Sequence, residues 1–301
     1  MDETQQKGKI LAILGPTAVG KSDVAVELAV GFNGEVVSAD SRQVYRGLTI
    51  GTGKITQEEM KGVPHHLLDI ADPHEQVTVV EWKKRAEEVI DDIISRGLLP
   101  IIAGGTGFYA QTVLDNVVHP HVLPNRKLRK ELKGYTLEEL RWRLKHIDPR
   151  RYSMIDRQNP RRLIRAIEIA EATGSVPEEI KEESPYRSLR IGLTVPDEEL
   201  KQRIHDRLLK RIESGMVEEA HDLHAQGLSY KRMEELGLEY RYLARYLNGD
   251  ISYEIMVEEL ENKIRQFAKR QMTWFKRDRQ IQWFRPDEKE KIEKEVRDFL
   301  S

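Results

Sequence analysis

Short apolar runs alternate along this chain with stretches whose apolar residues recur at helical spacing. The first run, Ile10-Leu11-Ala12-Ile13-Leu14, is unbroken and bounded by polar residues, the mark of a strand buried on both faces. A helical pattern through Val24, Leu28 and Val30 follows it. Glu35-Val36-Val37-Ser38 predicts a second buried strand, and His65 to Ile70 a third strand or edge segment. Val79 to Ser95 predicts an amphipathic helix, with Trp82, Ala86, Val89, Ile90, Ile93 and Ile94 on its apolar stripe and Gly97 as its stop. Leu98 to Ala103 is the next strand, and it runs into Gly104-Gly105-Thr106-Gly107-Phe108-Tyr109.

The rhythm changes near Pro120. His119-Pro120-His121 and Leu123-Pro124 read as a linker, and Arg126 to Ile147 as a basic helical section broken at Asp148-Pro149. Asn159-Pro160 opens a helix from Arg161 to Thr173, with Leu163, Ile164, Ile167, Ile169 and Ala170 inward and Gly174 at its end. Glu178 to Ser184 is acidic and expected to be mobile. Arg190 to Val195 then returns as a strand. Helices follow from Asp197 to about Ser214, from Gly215 to Gln226 and from Ile251 to Lys276. Ile281-Gln282-Trp283-Phe284 is a last edge strand, and Asp287 to Leu300 a polar terminal helix. Strands alternating with helices predict an α/β fold with a parallel sheet flanked by helices. An all-helical domain over 118–187 is inserted between core segments 1–117 and 188–301.

Between the first strand and the first helix lies Gly15-Pro16-Thr17-Ala18-Val19-Gly20-Lys21-Ser22. Strand, glycine-bounded loop, Lys-Ser and helix form the phosphate-cradle arrangement of a P-loop protein. Backbone N–H groups at the helix start point outward, and the helix dipole adds partial positive charge there. Lys21 is placed for the outer phosphate and Ser22 for Mg²⁺. The loop therefore binds a di- or triphosphate. Asp40, at the end of the second strand, should stand beside it, because ligands sit at the carboxyl ends of parallel strands. Arg203, Arg207 and Arg211, at i, i+4 and i+8, put three guanidinium groups on one helix face suited to a diphosphate. His65 and His66 point to opposite faces of a strand, so they are read as structural or substrate-facing rather than as a metal pair.

Composition narrows the partners. The chain has 301 residues, 33% of them charged, and no cysteine, which excludes disulfides and thiolate zinc sites and suits a reducing cytoplasm. Met1 to Lys9 has no apolar stretch of a secretory leader, and no apolar run approaches the ~20 residues of a membrane span. Net charge is −2, yet Arg126 to Arg165 holds 14 Lys/Arg against 5 Asp/Glu, a local balance of +9. Such segregation suggests a surface for a polyanion. Gly237 to Tyr246 interleaves Tyr240, Tyr242 and Tyr246 with Arg241 and Arg245, and bases of single-stranded RNA stack on such groups.

Three chemistries fit a phosphate cradle: a small-molecule kinase using ATP, transfer from a diphosphate to a nucleic acid, and a GTPase-like switch. Apart from Asp40 and Asp69, no apolar strand ends in the aspartate that an ordinary P-loop ATPase uses for Mg²⁺. A small metabolite also needs no basic insertion of about seventy residues. No Asn-Lys-x-Asp segment for reading guanine is present, which ranks the switch last.

The blocks Gly15 to Ser22, Asp40-Ser41-Arg42-Gln43-Val44-Tyr45-Arg46-Gly47, Gly51-Thr52-Gly53-Lys54, Pro64-His65-His66-Leu67 and Gly104 to Tyr109 closely resemble those of bacterial tRNA dimethylallyltransferases. So do Asn159 to Glu168 and Ala268-Lys269-Arg270-Gln271-Met272-Thr273-Trp274-Phe275. Where that family usually carries an Ile-Gly-Tyr-Lys-like segment, this chain reads Leu236-Gly237-Leu238-Glu239-Tyr240. The resemblance implies a soluble, cytoplasmic, monomeric enzyme. It would move the dimethylallyl group of dimethylallyl diphosphate to N6 of the adenosine next to the anticodon (position 37) in tRNAs reading codons that start with U. Asp40, Thr17 and Arg207 would be catalytic, and loop 15–22 with Arg203 and Arg211 would hold the diphosphate, with Mg²⁺ at Ser22. Asp40, Ser41, Arg42, Gln43, Thr106, Arg129, Gln158, Arg161, Arg162, Arg165, Lys269, Arg270 and Gln271 would meet the anticodon stem-loop.

Overall fold

The computed structural model describes residues 7–120, 122–178 and 180–301. The expectations placed on Met1 to Gln6, on His121 in the linker and on Glu179 in the acidic segment lie outside the described residues. The chain divides into two compact units, Met1–Asn116 with Glu183–Ser301, and Val117–Glu182.

The first unit opens with β1 (Gly8–Leu14), α1 (Lys21–Gly31), β2 (Gly34–Ser38), α2 (Gln57–Met60), β3 (His65–His66), α3 (Val79–Ser95), β4 (Leu99–Gly104) and α4 (Gly107–Leu114). The second unit holds β5 (Val117–Val118), α5 (Arg126–Leu132), α6 (Leu137–Ile147), α7 (Pro149–Met154), α8 (Pro160–Thr173) and β6 (Ile180–Lys181). The chain then completes the first unit with β7 (Tyr186–Leu193), α9 (Asp197–Glu213), α10 (Met216–Ala225), α11 (Tyr230–Leu236), α12 (Leu238–Leu247), α13 (Tyr253–Phe275), β8 (Ile281–Phe284) and α14 (Lys289–Leu300).

Six strands form one parallel sheet in the order β3-β2-β4-β1-β7-β8. In β1, Leu11 lies level with Ile101 of β4 and Leu189 of β7. The two-residue period of a strand divides this apolar run between two cores. Ile10, Ala12 and Leu14 face Trp82, Ile90, Ile93 and Leu260. Leu11 and Ile13 face Val24, Ala25 and Leu28 of α1, with Ile292 and Val296 of α14. All strands being parallel, the ends of β1, β2, β4 and β7 open on one edge of the sheet, and that edge carries the site.

Three elements differ from the sequence pattern. The strand expected over 65–70 stops at His66, because Leu67 (φ 64°) and Asp69 (φ 54°) turn the backbone out of extended geometry. The basic section 126–147 is two helices, because Thr136 starts α6 with a capping box to Glu139. Within the acidic segment, Ile180 pairs antiparallel with Val118, so the two ends of the inserted unit meet in a small ladder. That unit has its own core of Leu128, Leu132, Leu140, Leu144, Leu163 and Ile167.

Candidate active site

The loop 15–22 leads from β1 into α1, and Lys21 folds back so that its Nζ donates to the Pro16 carbonyl at 2.7 Å. Burial, helped by the charge of Arg207 and opposed by Asp40, pushes Lys21 down from 10.5 to about 7. Arg207 is also pushed down, to about 10, first by burial and then by its neighbour Arg211. Helix α9 delivers all three of its arginines to this region, as their four-residue spacing requires. Arg203 donates to the Val19 carbonyl at 3.2 Å and pairs with Glu199 at 2.8 Å. Arg207 donates to Thr17 Oγ1 at 3.5 Å and to the Gly53 carbonyl at 3.3 Å. Arg211 donates to the Gly51 carbonyl at 3.5 Å and to Glu239 at 3.3 Å. The bonds of Arg207 and Arg211 are long and weak. Two guanidinium groups and a buried amine thus crowd together, with Glu239 beside Arg211 and Asp40 nearby as their counter-charges.

Segment 49–54 carries the carbonyls that the arginines touch, and it is itself held from α10 and α12. Glu219 accepts N–H bonds from Thr49 (3.0 Å), Ile50 (2.7 Å) and Gly51 (3.0 Å), and the Tyr240 hydroxyl donates to it at 2.6 Å. Gly53 has φ +59°, and a Cβ there would lie 1.8 Å from Arg211 Nη2 and 2.4 Å from Arg207 Nη2. Only glycine fits both that backbone and that contact. Glu239, buried against this cluster, is pushed up by that burial.

On the other side of the loop lies the end of β2. Asp40 Oδ1 accepts from the Arg42 N–H at 2.8 Å. Ser41 N–H donates to Thr106 Oγ1 at 3.1 Å, and Gln43 Nε2 donates to the Gly53 carbonyl at 3.3 Å. Burial lowers Arg42, whose guanidinium lies within reach of the charges of Tyr45, Asp40, Tyr109 and Glu239. Asp40 lies near enough to act on the ionisation of Lys21 and Arg207.

Helix α13 divides its three expected RNA contacts. Lys269 and Arg270 are exposed. Gln271 is buried, accepting from the Thr17 N–H and donating to the Gly105 carbonyl, both at 2.8 Å. The amide of Gln271, expected among the RNA contacts, is bonded to these two backbones inside the protein.

The remaining expected RNA contacts lie in the inserted unit. Asn159 caps α8 by accepting from the Arg161 and Arg162 N–H groups, which leaves both side chains exposed. Gln158 N–H donates to Asp156 at 3.1 Å. Arg129 and Arg165 instead converge on Glu168, a buried carboxylate that also accepts from the Asn125 N–H at 2.6 Å. Arg129 ties α5 to α8, and Arg165, on α8 itself, also donates to the Val122 carbonyl at 2.9 Å.

Sequence reasoning missed Glu219, Glu239 and the two backbone bonds of Gln271. Each acts across the fold, and no local pattern marks such a residue. Among the described residues no cluster of three His, Cys, Asp or Glu could hold a metal. One exposed serine hydroxyl, Ser22, without a carboxylate cage suits Mg²⁺ that arrives on the phosphates and keeps its waters.

Parallel sheet, phosphate loop and convergent arginines define a P-loop α/β protein whose cradle stands beside a carboxylate. The IPP transferase family model matches residues 43–278, and the chain belongs to that family. It is 41% identical over 297 residues to a tRNA dimethylallyltransferase of Anoxybacillus flavithermus, covering 97% of this chain and 95% of the relative. To tRNA dimethylallyltransferase 1 of Geotalea uraniireducens it is 44% identical over 269 residues, covering 89% and 88%. The crystal structure of a tRNA isopentenylpyrophosphate transferase from Bacillus halodurans superposes with a TM-score of 0.69 at 40% identity, covering 92% and 89%. A eukaryotic dimethylallyltransferase described as acting on tRNA gives a TM-score of 0.73 at 28% identity, covering 89% of this chain and 69% of that one.

Proposed function

We propose that this chain transfers the dimethylallyl group from dimethylallyl diphosphate to the exocyclic N6 of the adenosine beside the anticodon of tRNA, releasing diphosphate. The observation that carries this reading is the gathering of Arg207 and Arg211 on the 51–53 turn, with Arg207 reaching Thr17 of the phosphate loop, while Lys21 and Arg207 lie within charge range of Asp40. Cations serve a leaving group that gathers negative charge, and the carboxylate serves an amine that must lose a proton.

The allylic C1–O bond breaks, the C1–N6 bond forms, and the N6 proton passes to Asp40. Adenine N6 is a weak nucleophile because its lone pair is delocalised into the ring, and a positioned base is worth roughly 10²–10⁴ in rate. Loop 15–22, Thr17, Lys21, Arg207 and Arg211 bind the diphosphate where its charge develops, and Arg203 steadies the loop from outside. Ser22 would help hold Mg²⁺, which adds charge neutralisation at the diphosphate. The adenosine reaches Asp40 by leaving the anticodon stack, at a cost of a few kcal/mol. Ser41, Arg42, Gln43 and Thr106 line its side of the site, and Arg161, Arg162, Lys269 and Arg270 grip the RNA backbone. The protein acts as a monomer in the cytoplasm. No helix of the described residues is long and apolar enough to cross a membrane.

A small-molecule kinase is disfavoured by the names of the relatives at about 40% identity. The test uses unmodified tRNA and Mg²⁺ with either dimethylallyl diphosphate or ATP. A mass gain of one dimethylallyl group on the RNA with the first donor alone is expected. ATP-dependent phosphorylation of a small acceptor, with no change in the RNA, sinks the proposal.

A further inference from the structure

We infer that Gln271 is a positioning residue, whose side-chain amide fixes the spacing between the diphosphate cradle and the acceptor side of the site. The inference rests on the prenyl-transfer reading above.

The amide spans two backbones. Its Oε1 accepts from the N–H of Thr17, inside the phosphate loop. Its Nε2 donates to the carbonyl of Gly105, in the turn after β4. That turn is bonded onward to the segment that carries Asp40. Thr106 N–H donates to the Ala39 carbonyl at 3.1 Å, and Thr106 Oγ1 accepts from the Ser41 N–H at 3.1 Å. A continuous path of hydrogen bonds therefore runs from Thr17, which faces Arg207, through Gln271 and Gly105–Thr106 to the residues on either side of Asp40.

The contact is built for this side chain. A Cβ on Gly105 would stand 2.3 Å from Gln271 Nε2, so the turn approaches the amide as closely as a glycine permits. On Gly107 a Cβ would meet Trp274 Cδ1 at 2.3 Å, so α13 lies directly on this turn. Gln271 is only 6% exposed. The two bonds need one acceptor and one donor on the same planar group, at the reach of two methylenes. Glutamine supplies both, and an ionised glutamate has no donor for the Gly105 carbonyl. Methionine has the length and neither bond.

A transfer between two separately bound substrates depends steeply on their separation. A shift of about 1 Å from a distant change can cost about 10²-fold in rate. Loss of the amide should therefore slow the bond-forming step while leaving each substrate bound, which separates a spacing role from a binding role.

The experiment compares wild type, Gln271→Met and Gln271→Glu for single-turnover rate at saturating tRNA and dimethylallyl diphosphate. KM for the diphosphate, Kd for tRNA and melting temperature are measured on the same samples. The glutamate variant keeps the shape of the side chain should methionine disturb folding. We expect both variants to lose about 10–100-fold in single-turnover rate, with tRNA Kd and diphosphate KM within about threefold of wild type and thermal melting preserved. An unchanged single-turnover rate overturns the inference. So does a loss that appears wholly as weaker tRNA binding, the outcome for an RNA-contacting glutamine, or wholly as a raised KM. If wild type itself forms no prenylated RNA, the functional reading fails instead.

Discussion

Among the described residues Asp40 accepts a hydrogen bond from Arg42 N–H at Oδ1, and Oδ2 is the oxygen offered to the amine of a substrate. Asp40→Asn keeps the shape and removes the base. Single-turnover prenyl transfer should fall roughly 10²–10⁴-fold, with tRNA affinity by filter binding nearly unchanged. Retention of most of the rate would assign the proton to another group. Gly53 gives a second residue-scale outcome. Its left-handed backbone and the two guanidinium groups packed on it leave no room for a methyl group. Gly53→Ala should therefore raise KM for dimethylallyl diphosphate about tenfold or more, the order expected when a charge-assisted contact is displaced. Loop 15–22 and Asp40 were legible in the sequence because each is a short local pattern at a strand end. Gly53 and Gln271 matter through atoms distant in sequence, and helical spacing could not name the Thr17 and Gly105 backbones that Gln271 bonds.

At the scale of elements, periodicity placed the long helices well, since burying one face of α3, α9 or α13 needs apolar residues at fixed spacing. It overran at His65-His66, where the turn that follows is set by backbone dihedrals rather than polarity. The start of β2 shows what steadies that sheet edge. Glu35, buried, accepts both guanidinium nitrogens of Arg96 at 2.6 and 2.7 Å and contacts His66 Nε2 at 2.7 Å. The Arg96 hydrogen bonds lead in pulling Glu35 down from 4.5 to about 2. A depressed carboxylate binds fewer protons folded than unfolded. Its contribution is therefore full above about pH 4.5 and fades as pH falls toward 2. Glu35→Gln should be less stable than wild type by about 2 kcal/mol at pH 7. The gap should narrow when urea unfolding is repeated near pH 3, and a gap independent of pH would contradict the pairing.

For the whole molecule, the insertion folds around its own core, and Glu168 joins α8 to α5 through Arg129 while also pairing with Arg165 on its own helix. Glu168→Ala strands two arginines and should destabilise this unit by about 3–5 kcal/mol. Proteolysis within 117–182 and weaker tRNA binding would follow, while diphosphate binding in the other unit persists. If about six phosphates are gripped, log affinity for tRNA should fall with log salt at a slope near −4, or about −0.7 per contact. Arg161→Ala with Arg162→Ala should make the slope shallower, whereas a slope near zero would remove RNA from the account. The sequence alone determined the long strands, the long helices and the phosphate loop, because each depends on residues adjacent in the chain or at helical spacing. Tertiary structure decided which polar side chains became machinery and which became struts. Burial and hydrogen-bond pairing depend on what the fold brings across from elsewhere, so the partners of Arg129, Arg165 and Gln271 (Glu168 for the first two, Thr17 and Gly105 for the third) could not be named until they were in place.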